Sequence, residues 1–226
     1  MQQKIEQRSK LMYKVEISKE NSMARRSDHT REELKELILE ASWEIVGKEG
    51  FSGLTARRIA KDIGYAPGSI YNLFASMDDL YLAVNAMTMQ ELYKVLSSSE
   101  CHAPEKSPLQ NMKKMAALYK EFSQRFRPHW LMLFTQILPE GKDYEDWYRE
   151  KTELMFQPLE DLLEPYCTPN QSHKKKMAAR VLWASVHGLC FLEETKKIPL
   201  VGDQDSTMEM TDYLIDNFVK GLESNR

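Results

Sequence analysis

The stretch "PGSIYNLF", residues 67–74, puts hydrogen-bonding side chains beside small ones. Tyr71 and Asn72 offer a phenol and an amide, groups that bond phosphate oxygens or base edges. Pro67, Gly68 and Ser69 precede them and would let the backbone come close to another surface. No comparable set for covalent chemistry stands out. There is no Ser-His-Asp grouping, no phosphate loop, no metal set at ligand spacing and no helix-borne carboxylate pair, so the chain reads as a non-enzyme that needs no cofactor. Cys101 and His102 are adjacent but lack a partner pair. "HKKK" (173–176) reads as a solvated helix start.

The elements that must position Tyr71 and Asn72 are helical. Leu34, Leu37, Ile38, Ala41, Ile45 and Val46 recur at helical spacing, and Gly50 closes the run. Thr30 and Glu33 stand three apart, as a capping box requires. "LTARRIAKDIG" (54–64) predicts a second, short helix with Thr55 as its N-cap and Gly64 at its end. Pro67 suits the first turn of a third helix reaching about Phe74. Two short helices joined by a tight glycine turn make a helix-turn-helix, or else an ordinary helical hairpin. Ala60 falls where the helices approach, and Gly64 permits a positive φ. Leu54, Ile59, Ile63, Ile70 and Phe74 share one apolar face, closed by Leu37, Ile38 and Ala41. Pro67, Gly68, Ser69, Tyr71 and Asn72 are left facing outward.

From Ser76 the pattern predicts a longer helix to residue 96, with Asp78 and Asp79 in its first turn. Further helices are expected at about 108–126, 128–138, 144–166, 171–196 and 206–223. The fold class is all-α with about nine helices. The domains read as a flexible basic extension (1–28), a helix-turn-helix domain (29–75) and a larger helical domain (76–226). Residues 1–22 lack a sustained period, and Met23 itself looks like a natural start.

Of the 226 residues, 42% are hydrophobic and 29% charged, which fits a globular chain. The net charge of -3 is unevenly spread: residues 1–75 carry 13 Lys and Arg against 11 Asp and Glu, the rest 18 against 23. The mildly basic end is the candidate for a phosphate-rich partner. The three cysteines, far apart and without a CxxC, fit a reduced compartment. The N-terminus lacks a secretory apolar segment, and the longest apolar run, 181–192, is too short to span a bilayer. A cytoplasmic protein without a membrane partner is expected.

The segment 31–80 resembles the N-terminal DNA-binding domain of the tetracycline-repressor (TetR) family of bacterial regulators. The resemblance rests on the alanine-containing first helix, "GFSGLT", "IAKDIG", and "PGSIYNLF" followed by an acidic helix start. It implies a homodimer presenting one recognition helix per subunit, here about 67–73, to successive major grooves of double-stranded DNA. By analogy, Thr55 and Tyr71 contact phosphates, and Arg57, Ser69 and Asn72 lie near base edges. Arg25 and Arg26 could reach the backbone or minor groove, or be a solvated charge pair. Two departures stand out. Many relatives have a phosphate-contacting Lys near the start of the fourth helix, where this chain has Met77. Many also have Ser or Thr before the proline, where this chain has Ala66. Backbone affinity would then lean on Arg57, Arg58 and the N-terminal arm.

In the larger half, "VLWASVHGLCFLEE" (181–194) is similar to a Trp-x-x-x-His-Gly signature of one C-terminal subclass. Ala184 and Gly188 stack on one stripe of their helix. Met210, Leu214, Phe218 and Leu222 form a period-four stripe on the last helix. Two such helices from each subunit would build a four-helix dimer interface, unless both stripes pack within one subunit. Met115, Tyr119, Phe122, Trp130, Phe134, Trp147, Trp183 and His187 read either as plain core or as the wall of a cavity for a hydrophobic small molecule. The expected function is a DNA-binding transcriptional regulator, a repressor released from a palindromic operator by a hydrophobic ligand. The alternative is a DNA-binding interaction protein without a small-molecule effector.

Overall fold

A computed structural model describes residues 29–168, 170, 172–203 and 206–224. The 1–28 extension, with Arg25 and Arg26, lies outside the described residues. Nine helices and no strand occur among the described residues.

Helix α1 (Arg31–Glu49) begins at the expected capping box. The Thr30 amide donates to Glu33 Oε2 at 2.7 Å, and the Glu33 amide donates to Thr30 Oγ1 at 3.2 Å. A 3-10 turn (Phe51–Gly53) leads to α2 (Ala56–Ile63), whose N-cap is Thr55. Gly64 ends α2 with φ 73° and ψ 26°, the left-handed geometry that glycine adopts without a Cβ clash. α3 is only four residues long (Gly68–Tyr71). The chain continues as turns to Phe74, whose amide donates to the Ile70 carbonyl at 3.0 Å. Ile38, Leu54, Ile59, Ile70 and Phe74 are buried in one cluster, with Ala41 and Ile63 packed at its margin.

α4 (Met77–Leu96) starts at Ser76, whose hydroxyl accepts the Asp79 amide at 3.3 Å. It is buried on several faces because it runs between the two halves of the fold. Leu80 and Val84 belong to the N-terminal cluster, and Leu92 and Leu96 to the larger one. α5 (Pro108–Arg125) follows. α6 (Arg127–Thr135) is shorter than the sequence predicts. Gln136 turns extended and its side chain bonds Asn85, while Leu138, preceding Pro139, is disfavoured in the α region. α7 (Asp146–Leu163) gives way to a 3-10 turn at Glu164–Tyr166, where Pro165 cannot continue the α-helical bonding. α8 (Ser172–Glu194) and α9 (Thr207–Ser224) lie side by side, and α7, α8, α5 and α9 surround the larger core.

Cys101, Cys167 and Cys190 are free and buried. Cys101 and His102 are spent on the end of α4. The thiol approaches the Val95 carbonyl at 3.5 Å, and His102 Nε2 donates to the Leu96 carbonyl at 3.1 Å. Among the described residues no helix is long and apolar enough to cross a membrane.

Candidate nucleic-acid interface and ligand cavity

The helix-turn-helix buries its apolar side against α1 and leaves its polar side open. Arg57, Pro67, Gly68, Tyr71 and Asn72 are exposed, Tyr71 to 53%, while Ser69 is half-buried. A Cβ on Gly68 would meet nothing within 4 Å. The protein's own packing therefore does not require glycine there, and the small residue keeps the backbone approachable. Thr55 is exposed, and its hydroxyl accepts the Arg58 amide at 3.2 Å while keeping its proton for an outside acceptor. The neighbouring arginines differ. Arg58 is held by Glu49, at 2.7 Å from Nη2 and 3.0 Å from Nε, and by Asp62 on its own helix. These carboxylates hold its pKa above the ordinary arginine value. Arg57 makes no ion pair with another described residue.

Several contacts join this unit to the larger half. His129 of α6 stacks on Trp43 of α1, with ring centroids 3.8 Å apart. Its Nε2 donates to the Trp43 carbonyl at 2.9 Å, which leaves a buried Nδ1 without a partner. Burial lowers its pKa, opposed by the Trp43 carbonyl and Glu44. Tyr81 of α4 donates to the Leu54 carbonyl at 3.3 Å, just before α2. Lys142, between α6 and α7, donates to Asp78 Oδ2 at 3.0 Å and to Ser76 Oγ at 3.3 Å at the start of α4.

Inside the larger half lies a cavity of about 500 Å³, a size that suits a drug-like molecule. Met115, Tyr119, Phe134 and Trp183 line it as the sequence suggests, joined by Met89, Met112, Tyr144, Tyr148, Thr152 and Phe156. Phe122, Trp130, Trp147 and His187 do not line it. Trp130 is fully buried and Phe122 is core, whereas Trp147 packs edge-on against Tyr148 and bonds Glu145. His187 sits behind the wall among Trp183, Phe134, Trp130 and Phe191.

In the cavity wall, Tyr119 Oη accepts the Trp130 indole N–H at 3.2 Å and lies 2.8 Å from His187 Nδ1. Burial drives the Tyr119 hydroxyl pKa far up, with the Trp130 and Trp183 indoles pulling the other way. Burial also lowers His187 to about 4. Both groups are therefore neutral at pH 7, and the tyrosine oxygen has its bonding capacity filled by protein. The charged groups of the lining are Arg149 and Glu153. Arg149 Nε donates to the Tyr144 carbonyl at 2.9 Å. Glu153 is held by Arg180 at 2.7 Å and Lys176 at 3.7 Å, which lower its pKa.

On the outside of α8 and α9, Met177, Val181 and Tyr213 are large exposed apolar side chains, Tyr213 to 73%. Ala184 is exposed, and a Cβ on Gly188 would meet nothing within 4 Å of the same chain. A shallow groove between the helices is lined by Ser185, Leu189, Met210, Tyr213 and Leu214. Leu214, Phe218 and Leu222 are half-buried against the subunit's own core. Period four on α9 thus follows its inward edge, and the outward edge carries Tyr213, which the sequence reading passed over because it falls between stripe members Met210 and Leu214.

Comparison with known proteins agrees with this architecture. Residues 38–84 match the family model for bacterial regulatory proteins of the tetR family, and residues 112–218 match that for a tetracyclin repressor-like C-terminal domain. An uncharacterised HTH-type transcriptional regulator of Mycobacterium tuberculosis is 26% identical over 190 residues, covering 84% of this chain and 81% of its own. A solved structure of a protein of unknown function from Rhodococcus sp. RHA1 superposes with TM-score 0.67 at 17% identity, over 88% of this chain and all of that one. The multidrug binding protein EbrR, solved in complex with imidazole, superposes with TM-score 0.54 at 21% identity, over 83% of this chain and 96% of its own.

Proposed function

We propose that this chain, which carries a TetR-family N-terminal helix-turn-helix domain and a TetR-like C-terminal domain, is a dimeric transcriptional repressor released from a palindromic operator by a small apolar ligand. The observation that carries the DNA-binding part is the exposed array of Arg57, Gly68, Tyr71 and Asn72 on a helix-turn-helix whose other face is buried. Thr55 and Tyr71 are assigned to phosphates, and Arg57, Ser69 and Asn72 to base edges. Dimerisation is assigned to the α8–α9 outer face, through Ala184, Gly188, Met210, Leu214 and Tyr213. A cavity of about 500 Å³, in place of a filled core, favours ligand control over an effector-free interaction protein. The Tyr119 hydroxyl is already engaged by Trp130 and His187, so a polar group on the ligand would sit near Thr152 and Arg149. EbrR, of the same fold, was solved with a small molecule bound.

The test is binding to DNA upstream of the protein's own gene in a salt series, with a scrambled duplex alongside. The wild type should bind a palindrome as a dimer, with affinity falling steeply as salt rises. A Tyr71→Phe, Asn72→Ala double variant should bind at least about tenfold more weakly, in line with roughly 1–3 kcal/mol for one good base contact. Equal binding by parent and double variant would refute the assignment of the recognition surface.

A further inference from the structure

The cavity lining is divided by exposure. Met89, Met112, Met115, Tyr119, Leu182 and Ile215 are buried. Tyr144, Arg149, Thr152 and Glu153 are exposed. Arg149, Thr152 and Glu153 stand three and four residues apart, on one face of α7. The cavity is therefore apolar inside and meets solvent along that face, where its two charged groups stand. The flexible thioethers of the interior can adapt to a long or irregular apolar chain.

The two features of the lining that would attract a cation are already occupied. Glu153 is the one acidic side chain of the lining, and it pairs with Arg180 at 2.7 Å and Lys176 at 3.7 Å. The bond from Arg180 holds its carboxyl below the usual carboxylate range, so Glu153 is ionised and its charge is met by the protein. The same guanidinium lies over the Phe156 ring of the lining, 4.6 Å from its centroid, within the reach of a cation–π contact. Arg180 is held there by the buried Glu160 at 2.9 Å. A cationic ligand would have to compete with Arg180 for both the carboxylate and the ring.

Arg149 is placed the other way. Its Nε donates to the Tyr144 carbonyl at 2.9 Å, which orients the guanidinium. Its one ion pair among the described residues is with Asp143 at 3.8 Å, too long for a hydrogen bond, and that carboxylate is wholly exposed. Asp146 and Glu150 share an outer groove with Arg149 but do not line the cavity. Thr152 spends its hydroxyl proton on the Tyr148 carbonyl at 2.9 Å. Arg149 is left as the charged donor of the rim, with a planar fork that matches the two oxygens of a carboxylate.

We propose that the cavity takes an apolar monoanion, a carboxylate-bearing amphiphile whose tail fills the methionine-lined interior and whose head meets Arg149 at the rim, while Arg180 disfavours cations. This rests on the reading of the cavity as the ligand site. The head stays in contact with water, so no charge has to be buried in the apolar interior.

Displacement of the neutral fluorescent probe N-phenyl-1-naphthylamine from the full chain tests the proposal. Dodecanoate, dodecanol and dodecylammonium are the competitors, each below its micelle-forming concentration; they share one chain and differ in the charge of the head. The wild type should bind dodecanoate most tightly and dodecylammonium least. Arg149→Met should weaken dodecanoate about fivefold relative to dodecanol, the scale of a partly exposed ion pair. Arg149→Lys should keep most of the preference. A wild type that binds dodecylammonium as tightly as dodecanoate overturns the anionic class, and the ligand reading survives. So does an Arg149→Met loss shared equally by all three competitors. A probe that does not fluoresce on the wild type overturns the cavity reading and the anionic class together.

Discussion

Tyr119 and its partners show how a single buried hydroxyl can organise the wall of a cavity. Its oxygen holds the Trp130 indole and lies against His187, all within an aromatic box. Tyr119→Phe leaves a fully buried indole N–H without an acceptor, and should destabilise the fold by about 1–3 kcal/mol in chemical denaturation. The two buried histidines give a pH dependence of definite sign. Burial lowers His187 to about 4 and lowers His129 as well, whereas in the unfolded chain both titrate near about 6.5. The unfolded state then binds more protons between these values. Their contribution is complete above about pH 6.5 and is lost as pH falls toward about 4. A denaturation series should show stability dropping across that window, with a shallower slope in His187→Phe. Little of this was legible in the sequence. Trp130, Tyr119 and His187 are far apart along the chain, and an aromatic stripe has the same period whether it fills a core or walls a cavity. Phe122 and Trp130 turned out to be core, and Tyr148 and Thr152, on the cavity face of α7, carried no signal of their own.

Helix starts and stops were far more legible, because they are set by local chemistry. Thr30 with Glu33, Thr55, Ser76, Gly50 and Gly64 act within one turn of chain and stand where their types predict. Gly64→Ala places a Cβ in a left-handed conformation and should lose about 1–2 kcal/mol, read as a lower midpoint of thermal unfolding. The late end expected for α6 has a tertiary cause: Gln136 leaves the helix to meet Asn85, 51 residues away in sequence. No periodicity argument contains that contact. Lys142 illustrates the same limit, since it lies between predicted helices with no periodic signal and only the fold brings it to α4.

At the scale of the whole molecule, α6 is pinned through its first turn. His129 fixes it to α1, and Arg127 joins it to Glu194 of α8 at 2.8 Å. The DNA-reading unit and the outer α8–α9 face thus share one short strut. Gly188 separates two roles for that face, since a Cβ there meets nothing within 4 Å in its own subunit. Gly188→Leu should leave a folded chain with unchanged helicity, yet shift sedimentation velocity toward the monomer. If the dimer persists, the subunits meet elsewhere. The three cysteines are all buried, and burial lifts the Cys101 thiol and brings Cys190 to about 12. The Cys101 and Cys190 thiols, kept protonated and out of reach, are poor nucleophiles. The molecule thus carries an internal clock for its own opening. A thiol-directed reagent should be consumed only as fast as the fold comes apart, which would time the opening of the native chain with no label attached.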